Sequence, residues 1–292
     1  MRDYQLLTRC PPKELQLYKD ILVHIPSERP AGPVIEGSVS LAAAFGAQLG
    51  AVSAGYVSTN ASYVMGAAIP AIFEMERERA QKRAEAALAT FEEAAKKAGV
   101  SYTCRAMGES PSDAAKAIGA MARLYDLNIV LQPDSEQSSF DNEIPREVMF
   151  HSGGPVLFLP HIFRGSFQAR RIGICWDGSR VAARALRDAG SFLKRAESIT
   201  VITVNNADSA GGEASAENLV KRLERLKAPA RIVASTAARA DIQPTILSLA
   251  ADENLDLLVM GGYGHSRIQE NFLGGVTRAM LECMTVPTLM SH

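Results

Sequence analysis

The chain has 292 residues, 47% of them hydrophobic, with 31 Lys and Arg against 32 Asp and Glu for a net charge of −1. That length suits two domains of ordinary size, and the balanced charge gives no electrostatic reason for nucleic acid or an anionic membrane as partner. No apolar run reaches the roughly 20 residues of a membrane helix, and Met1-Arg2-Asp3-Tyr4 lacks the charged and then apolar pattern of a secretory leader, so a cytoplasmic protein without a membrane partner is expected. Cys10, Cys104, Cys175 and Cys283 form no CxxC pair and read as separate thiols in a reducing compartment.

The N-terminal arm, Met1 to Gln16, reads as a surface extension. The first element is a strand, Lys19 to Pro26, followed by an Ala-rich helix over Glu36 to Gly50 and a second strand over Ala51 to Val57. The apolar segment Tyr63 to Phe73 follows; it needs cover from its own domain, from an apolar ligand or from a protein partner. Glu74 to Ala98 is rich in Ala, Glu, Lys and Arg and stops at Gly99, which predicts a long helix with a glycine C-cap. A third strand covers Val100 to Arg105. A third helix begins at Ser110 or Ser112 with Pro111 in its first turn, and a fourth strand covers Leu127 to Leu131. The helix around Pro145 to Met149 and the strand Pro155 to Leu159 close this half, and His161 to Ala169 reads as a linker.

The same order then repeats. Arg170 to Asp177 is a strand, Ser179 to Arg195 a helix, Ile199 to Val204 a strand and Ala214 to Lys227 a shorter helix. Ala230 to Ala234 is the third strand, a helix starts at Asp241 with Pro244 in its first turn, and Asp256 to Met260 is an apolar fourth strand. Gly261-Gly262-Tyr263-Gly264, nine residues, then Gly274-Gly275-Val276-Thr277 follow it, with the last helix over Thr277 to Leu281 and the last strand over Pro287 to Met290.

Strands alternating with helices predict an α/β protein of two doubly wound, Rossmann-like parallel-sheet domains, spanning 17–160 and 170–292 with 161–169 between them. Such folds take ligands beyond the C-terminal ends of their strands, where strand order reverses. A strand, a glycine loop and a helix start form an anion cradle: glycine lets backbone N–H groups come close, and the helix adds unpaired N–H groups and a positive dipole end.

In the second half, Ile174-Cys175-Trp176-Asp177-Gly178-Ser179 together with the glycine stretch resembles the universal stress protein family, in its tandem type with two family domains in one chain. The family's loop runs Gly, two residues, Gly, nine residues, Gly, then Ser or Thr. The resemblance covers both halves from about Lys19 onward. It implies an adenine nucleotide alpha hydrolase-like fold and an adenine nucleotide ligand, ATP or else ADP or AMP, with Mg2+ able to accompany it. It also implies pairing of the two halves through their last strands as an intramolecular pseudo-dimer, with a further homodimer left open. Asp177 then faces the adenosine part, Val204 lies beside adenine, and Met260 precedes the loop. Gly261, Gly264 and Gly274 are the loop glycines, and Val276 and Thr277 stand near the phosphates.

Gly275 departs from the pattern, because a Ser or Thr hydroxyl is usual there. Loss of one hydrogen bond to a charged group costs about 1.5–3 kcal/mol, so affinity drops without abolition of the site; Thr277 offers a hydroxyl one turn along. His265 reads as a surface residue with a secondary claim on phosphate, and Arg267 and Arg278 are near enough to offer charge. Arg278 matches Arg146 in the other half, which favours a structural role for it. Asp177 has a simple alternative as a helix cap. Trp176 reads as core.

The first half carries Gln132-Pro133-Asp134-Ser135-Glu136-Gln137 where the loop would be, and Pro26 in the acidic position. It is expected to have lost nucleotide binding and to serve as a built-in structural partner. No catalytic residue and no protein metal site is assigned. A slow ATPase and an interaction protein that works without nucleotide are the competing functions.

Overall fold

The computed structural model describes residues 18–57, 69–205, 212–226, 229–263 and 275–292. The first half runs β1 (Asp20–His24), α1 (Gly32–Phe45), β2 (Gln48–Tyr56), α2 (Ile69–Ala98), β3 (Tyr102–Glu109), α3 (Pro111–Met121), β4 (Leu127–Leu131), α4 (Ile144–His151) and β5 (Val156–Leu159). The second runs β6 (Arg171–Cys175), α5 (Arg180–Asp188), α6 (Gly190–Leu193), β7 (Ser198–Val204), α7 (Ala216–Leu223), β8 (Ala230–Ser235), α8 (Ile242–Asp252), β9 (Leu257–Gly261), α9 (Gly275–Cys283) and β10 (Thr288–Ser291).

All ten strands form one sheet in the order β3-β2-β1-β4-β5-β10-β9-β6-β7-β8. Within each half every pairing is parallel. The seam is the exception: β10 runs antiparallel to β5, with Thr288 opposite Phe158, Leu289 opposite Leu157 and Met290 opposite Val156. The two five-stranded units thus meet edge to edge as a pseudo-dimer inside one chain, and strand order reverses between β1 and β4 and again between β6 and β9. Each sheet edge that would be left open at the seam is covered by the other half.

Local chemistry explains the element bounds. α1 lies at 32–45, not 36–50 as the sequence suggested. Pro33 stands in its first turn, and Gly46 takes the left-handed C-cap with φ 63°, its N–H bonded to the Ala42 carbonyl. Gln48 and Leu49 are therefore strand. Ser110 caps α3 by accepting from the Asp113 N–H, and Ser179 and Ser215 cap α5 and α7 in the same way. Asp241 holds the N-cap position of α8 without a side-chain capping bond. The single helix expected over 179–195 breaks at Ala189, after which Gly190 opens the short α6. α2 begins five residues before Glu74, at Ile69, and so takes up the end of the apolar 63–73 segment. Residues 58–68 of that region lie outside the described residues.

α2 buries Ala80, Ala84, Leu88, Phe91 and Ala95, a helical stripe laid on the sheet. It sits so close that a Cβ on Gly55 would be 1.8 Å from the Ala80 carbonyl oxygen. The halves also join away from the seam, where Phe192 meets the rings of Tyr18, Phe45 and Phe167 at centroid distances of 5.2, 5.5 and 5.6 Å. The 161–169 segment packs on α1: Phe167 N–H donates to Ser40 Oγ at 2.9 Å and Gly165 N–H to Glu36 Oε2 at 2.7 Å.

Candidate functional site

The described residues that the sequence singled out stand at the C-terminal ends of β6, β7 and β9 and in the first turn of α9, on the side where strand order reverses. Asp177 lies just past β6 and is exposed. Its Oδ1 accepts the Ser179 N–H at 2.9 Å, and Gly178 between them takes φ 72°. The carboxylate therefore closes a tight turn ahead of α5, whose N-cap is Ser179, so Asp177 is not itself the helix cap. Trp176 points into the core and donates from Nε1 to the Ala214 carbonyl at 2.8 Å. Burial, with the charge of Asp177 added, pushes the Cys175 thiol up to about 12, so it stays protonated and unreactive.

Val204 ends β7, half-buried against the same apolar cluster as Met260, which is buried. Gly261 has a packing reason that the sequence did not reveal. A Cβ there would fall 2.6 Å from the Ala182 nitrogen and 2.7 Å from the Val181 carbonyl carbon. Glycine is what lets the first turn of α5 rest on the end of β9.

Gly264, His265, Arg267 and Gly274 lie outside the described residues. On the far side, Gly275 opens α9 with no atom of the described residues within 4 Å of where its Cβ would be. Val276 is half-buried. Thr277 is buried, and its Oγ1 accepts the Tyr263 N–H at 3.4 Å. Its hydroxyl thus ties the end of β9 to the first turn of α9. Arg278 pairs with Glu282 at 2.7 Å on the solvent face of α9. Tyr263 was missed by sequence reasoning; an aromatic residue between two glycines at a strand exit was the only signal it gave.

The equivalent cleft of the first half is filled by its own side chains. Arg29, in the loop after β1, is buried; it donates to Asn142 Oδ1 at 2.6 Å and to the Gln132 carbonyl at 2.7 Å, and lies 3.0 Å from His161 Nδ1. Asn142 stands where Gly274 would be by repeat alignment. Asp141, fully buried beside it, accepts from Tyr56 Oη at 2.6 Å and from the Glu28 N–H at 2.8 Å. His24 Nε2 lies 3.5 Å from Asp141 Oδ1. Burial holds the His24 imidazole below its ordinary value; Asp141 opposes that shift and Arg29 adds to it. The sequence pointed to Pro26, Asp134 and Glu136 here, but gave no sign of Arg29 as the residue that closes the cleft.

The fold is that of a tandem doubly wound α/β protein with a strand-order reversal in each half. Residues 168–292 match the model of the Universal stress protein family. A universal stress protein from Archaeoglobus fulgidus DSM 4304 shares the fold with a TM-score of 0.68 at 15% identity, covering 92% of this chain and 97% of that one. A Pseudomonas aeruginosa UCBPP-PA14 protein provisionally classed as a universal stress protein has a TM-score of 0.55 at 13% identity, covering 94% and 93%. A functionally unknown protein from Pseudomonas aeruginosa PAO1 gives 0.53 at 14% identity over 94% and 92%. These solved structures match across both halves, in keeping with a tandem architecture. No curated protein matches the chain. No helix among the described residues is long and apolar enough to cross a membrane.

Proposed function

We propose that the second half, 170–292, binds an adenine nucleotide, ATP foremost, and that the first half, 17–160, is its non-binding structural partner across the 161–169 linker. Adenosine lies toward Asp177, Val204 and Met260. Phosphate lies among backbone N–H groups contributed by Gly261, Gly264, His265, Gly274, Gly275 and Val276, with Mg2+ accompanying it. The observation that carries this reading is the contrast between the two clefts. At the α9 start no described atom lies within 4 Å of where a Gly275 Cβ would be, whereas the first half places the Arg29 guanidinium and Asn142 in the corresponding position. Backbone N–H groups at a helix start favour an anion; a buried arginine already satisfied by Gln132 and Asn142 leaves no such room.

The output of such a site is regulatory: bound nucleotide changes the surface offered to a protein partner in the cytoplasm. The Gly275 departure, with a filled first cleft, gives the second reading, an interaction protein indifferent to nucleotide. Equilibrium dialysis with ATP separates the two. Binding in the micromolar range is expected for the native chain, with loss of at least tenfold in Gly264→Asp, which places a carboxylate against phosphate. Equal binding by that variant defeats the site assignment.

A further inference from the structure

The chain leaves β9 on a support provided by the other half. A Cβ on Gly262 would lie 2.2 Å from Cε of Met149 on α4, so the methionine tip fills the space that glycine leaves. Gly262 N–H donates to the Ser291 carbonyl at 2.9 Å, and the Gly262 carbonyl faces His292 Nδ1 at 3.3 Å. Tyr263 follows in the left-handed region, with φ 55°. An aromatic residue there is strained and needs its surroundings to hold it.

What holds it is a cluster built across the seam. The Tyr263 ring lies 4.5 Å from Phe150 at a tilt of 43°, and His292 meets Phe150 edge-on at 5.2 Å. The Tyr263 hydroxyl is buried with no hydrogen-bond partner among the described residues. Among the described residues, the stack on Phe150 and the Thr277 bond to the Tyr263 N–H are what hold the residue in place. Phe150 and Met149 both belong to the first half. Contact also runs the other way, from Gln132 Nε2 to the Glu282 carbonyl at the end of α9, 3.0 Å away.

We propose that α4 is a positioning element for the nucleotide site of the second half: Phe150, acting through Tyr263, sets the backbone with which the chain leaves β9, and with it the affinity for nucleotide. The effect on affinity rests on the nucleotide reading above; the effect on the strand exit does not. Phe150 touches no ligand atom in this account. The first half, whose own cleft is filled, thereby contributes to binding from across the seam.

The test uses the full chain in three forms: native, Phe150→Ala and Phe150→Tyr. Hydrogen exchange is followed at the Gly262 and Tyr263 amides without nucleotide, and the ATP dissociation constant is measured beside it. In Phe150→Ala, exchange at those amides rises at least tenfold while a peptide from β6 stays unchanged, and ATP binds about tenfold more weakly, equivalent to ~1.4 kcal/mol. Phe150→Tyr, which keeps the ring, stays within twofold of native on both readouts. Exchange within twofold of native in Phe150→Ala overturns the positioning role, whatever ATP does. Faster exchange in a chain that binds no ATP even in its native form supports the positioning role and counts against the nucleotide reading alone. Should Phe150→Ala fail to fold, Phe150→Leu keeps most of the volume, removes the ring stack and serves the same comparison.

Discussion

A Cβ on Gly261 would press on the backbone of Val181 and Ala182, atoms that cannot swing aside, whereas a Cβ on Gly262 would press on the flexible tip of Met149. Neighbouring glycines with the same spacing logic therefore carry different costs. Gly261→Ala is expected to destabilise the protein by about 2 kcal/mol, the usual scale of overpacking against a fixed neighbour. Gly262→Ala should cost less than half of that and be largely relieved by Met149→Ala. Urea unfolding of the three variants checks this; equal losses for the two glycines, or no relief from the methionine change, would show that the close approaches do not govern stability. Both glycines were legible in the sequence as loop residues. Their packing partners were not, because Val181 lies 80 residues away and Met149 over 110 residues away in the other half.

Helices and loops show where local signals suffice and where they compete. Ser110, Ser179 and Ser215 are caps that sequence spacing or helix starts place to within a residue or two, and the long helix α2 was plain from its Ala, Glu, Lys and Arg content and its stop at Gly99. The end of α1 was not, since Gly46 and Gly50 are both plausible stops. Only the pairing of Gln48 with Asp20 in the sheet decides for the first. The approach of α2 to β2 at Gly55 leads to a second expectation. Gly55→Ala meets a backbone oxygen at 1.8 Å, so it should lift α2 from the sheet and cost about 3 kcal/mol, seen as a lower thermal midpoint. A near-native midpoint would mean that the helix shifts freely. The loop after β1 makes a pH-dependent contribution. His24 and His161 are both held below the ordinary histidine value of 6.5, mainly by burial, with Arg29 lowering each further and Asp141 and Asp134 opposing. The unfolded chain then takes up protons first, so this part of the stability is complete above pH 6.5 and is lost as pH falls below it. Thermal midpoints should fall between pH 7 and pH 5.5, and less steeply in His24→Gln. An identical slope in that variant would remove His24 from the account.

At the scale of the whole molecule, the repeat in the sequence becomes two five-stranded units in one ten-stranded sheet, joined among the described residues by the antiparallel β5–β10 pair. The alternation of strands and helices made this class of fold legible, because each half repeats the same order of signals. The filling of the first cleft was only half legible. The sequence announced missing glycines, but Arg29, Gln132, Asn142 and His161 converge from three separate connections, after β1, after β4 and after β5, and no local pattern marks that convergence. The asymmetry between the clefts is the core of the functional account, and stoichiometry tests it most directly. Isothermal titration of the full chain with ATP should give one nucleotide per chain. Two per chain would mean that the arginine-filled cleft also opens to ligand, and none would mean that the cradle at the start of α9 does not hold phosphate.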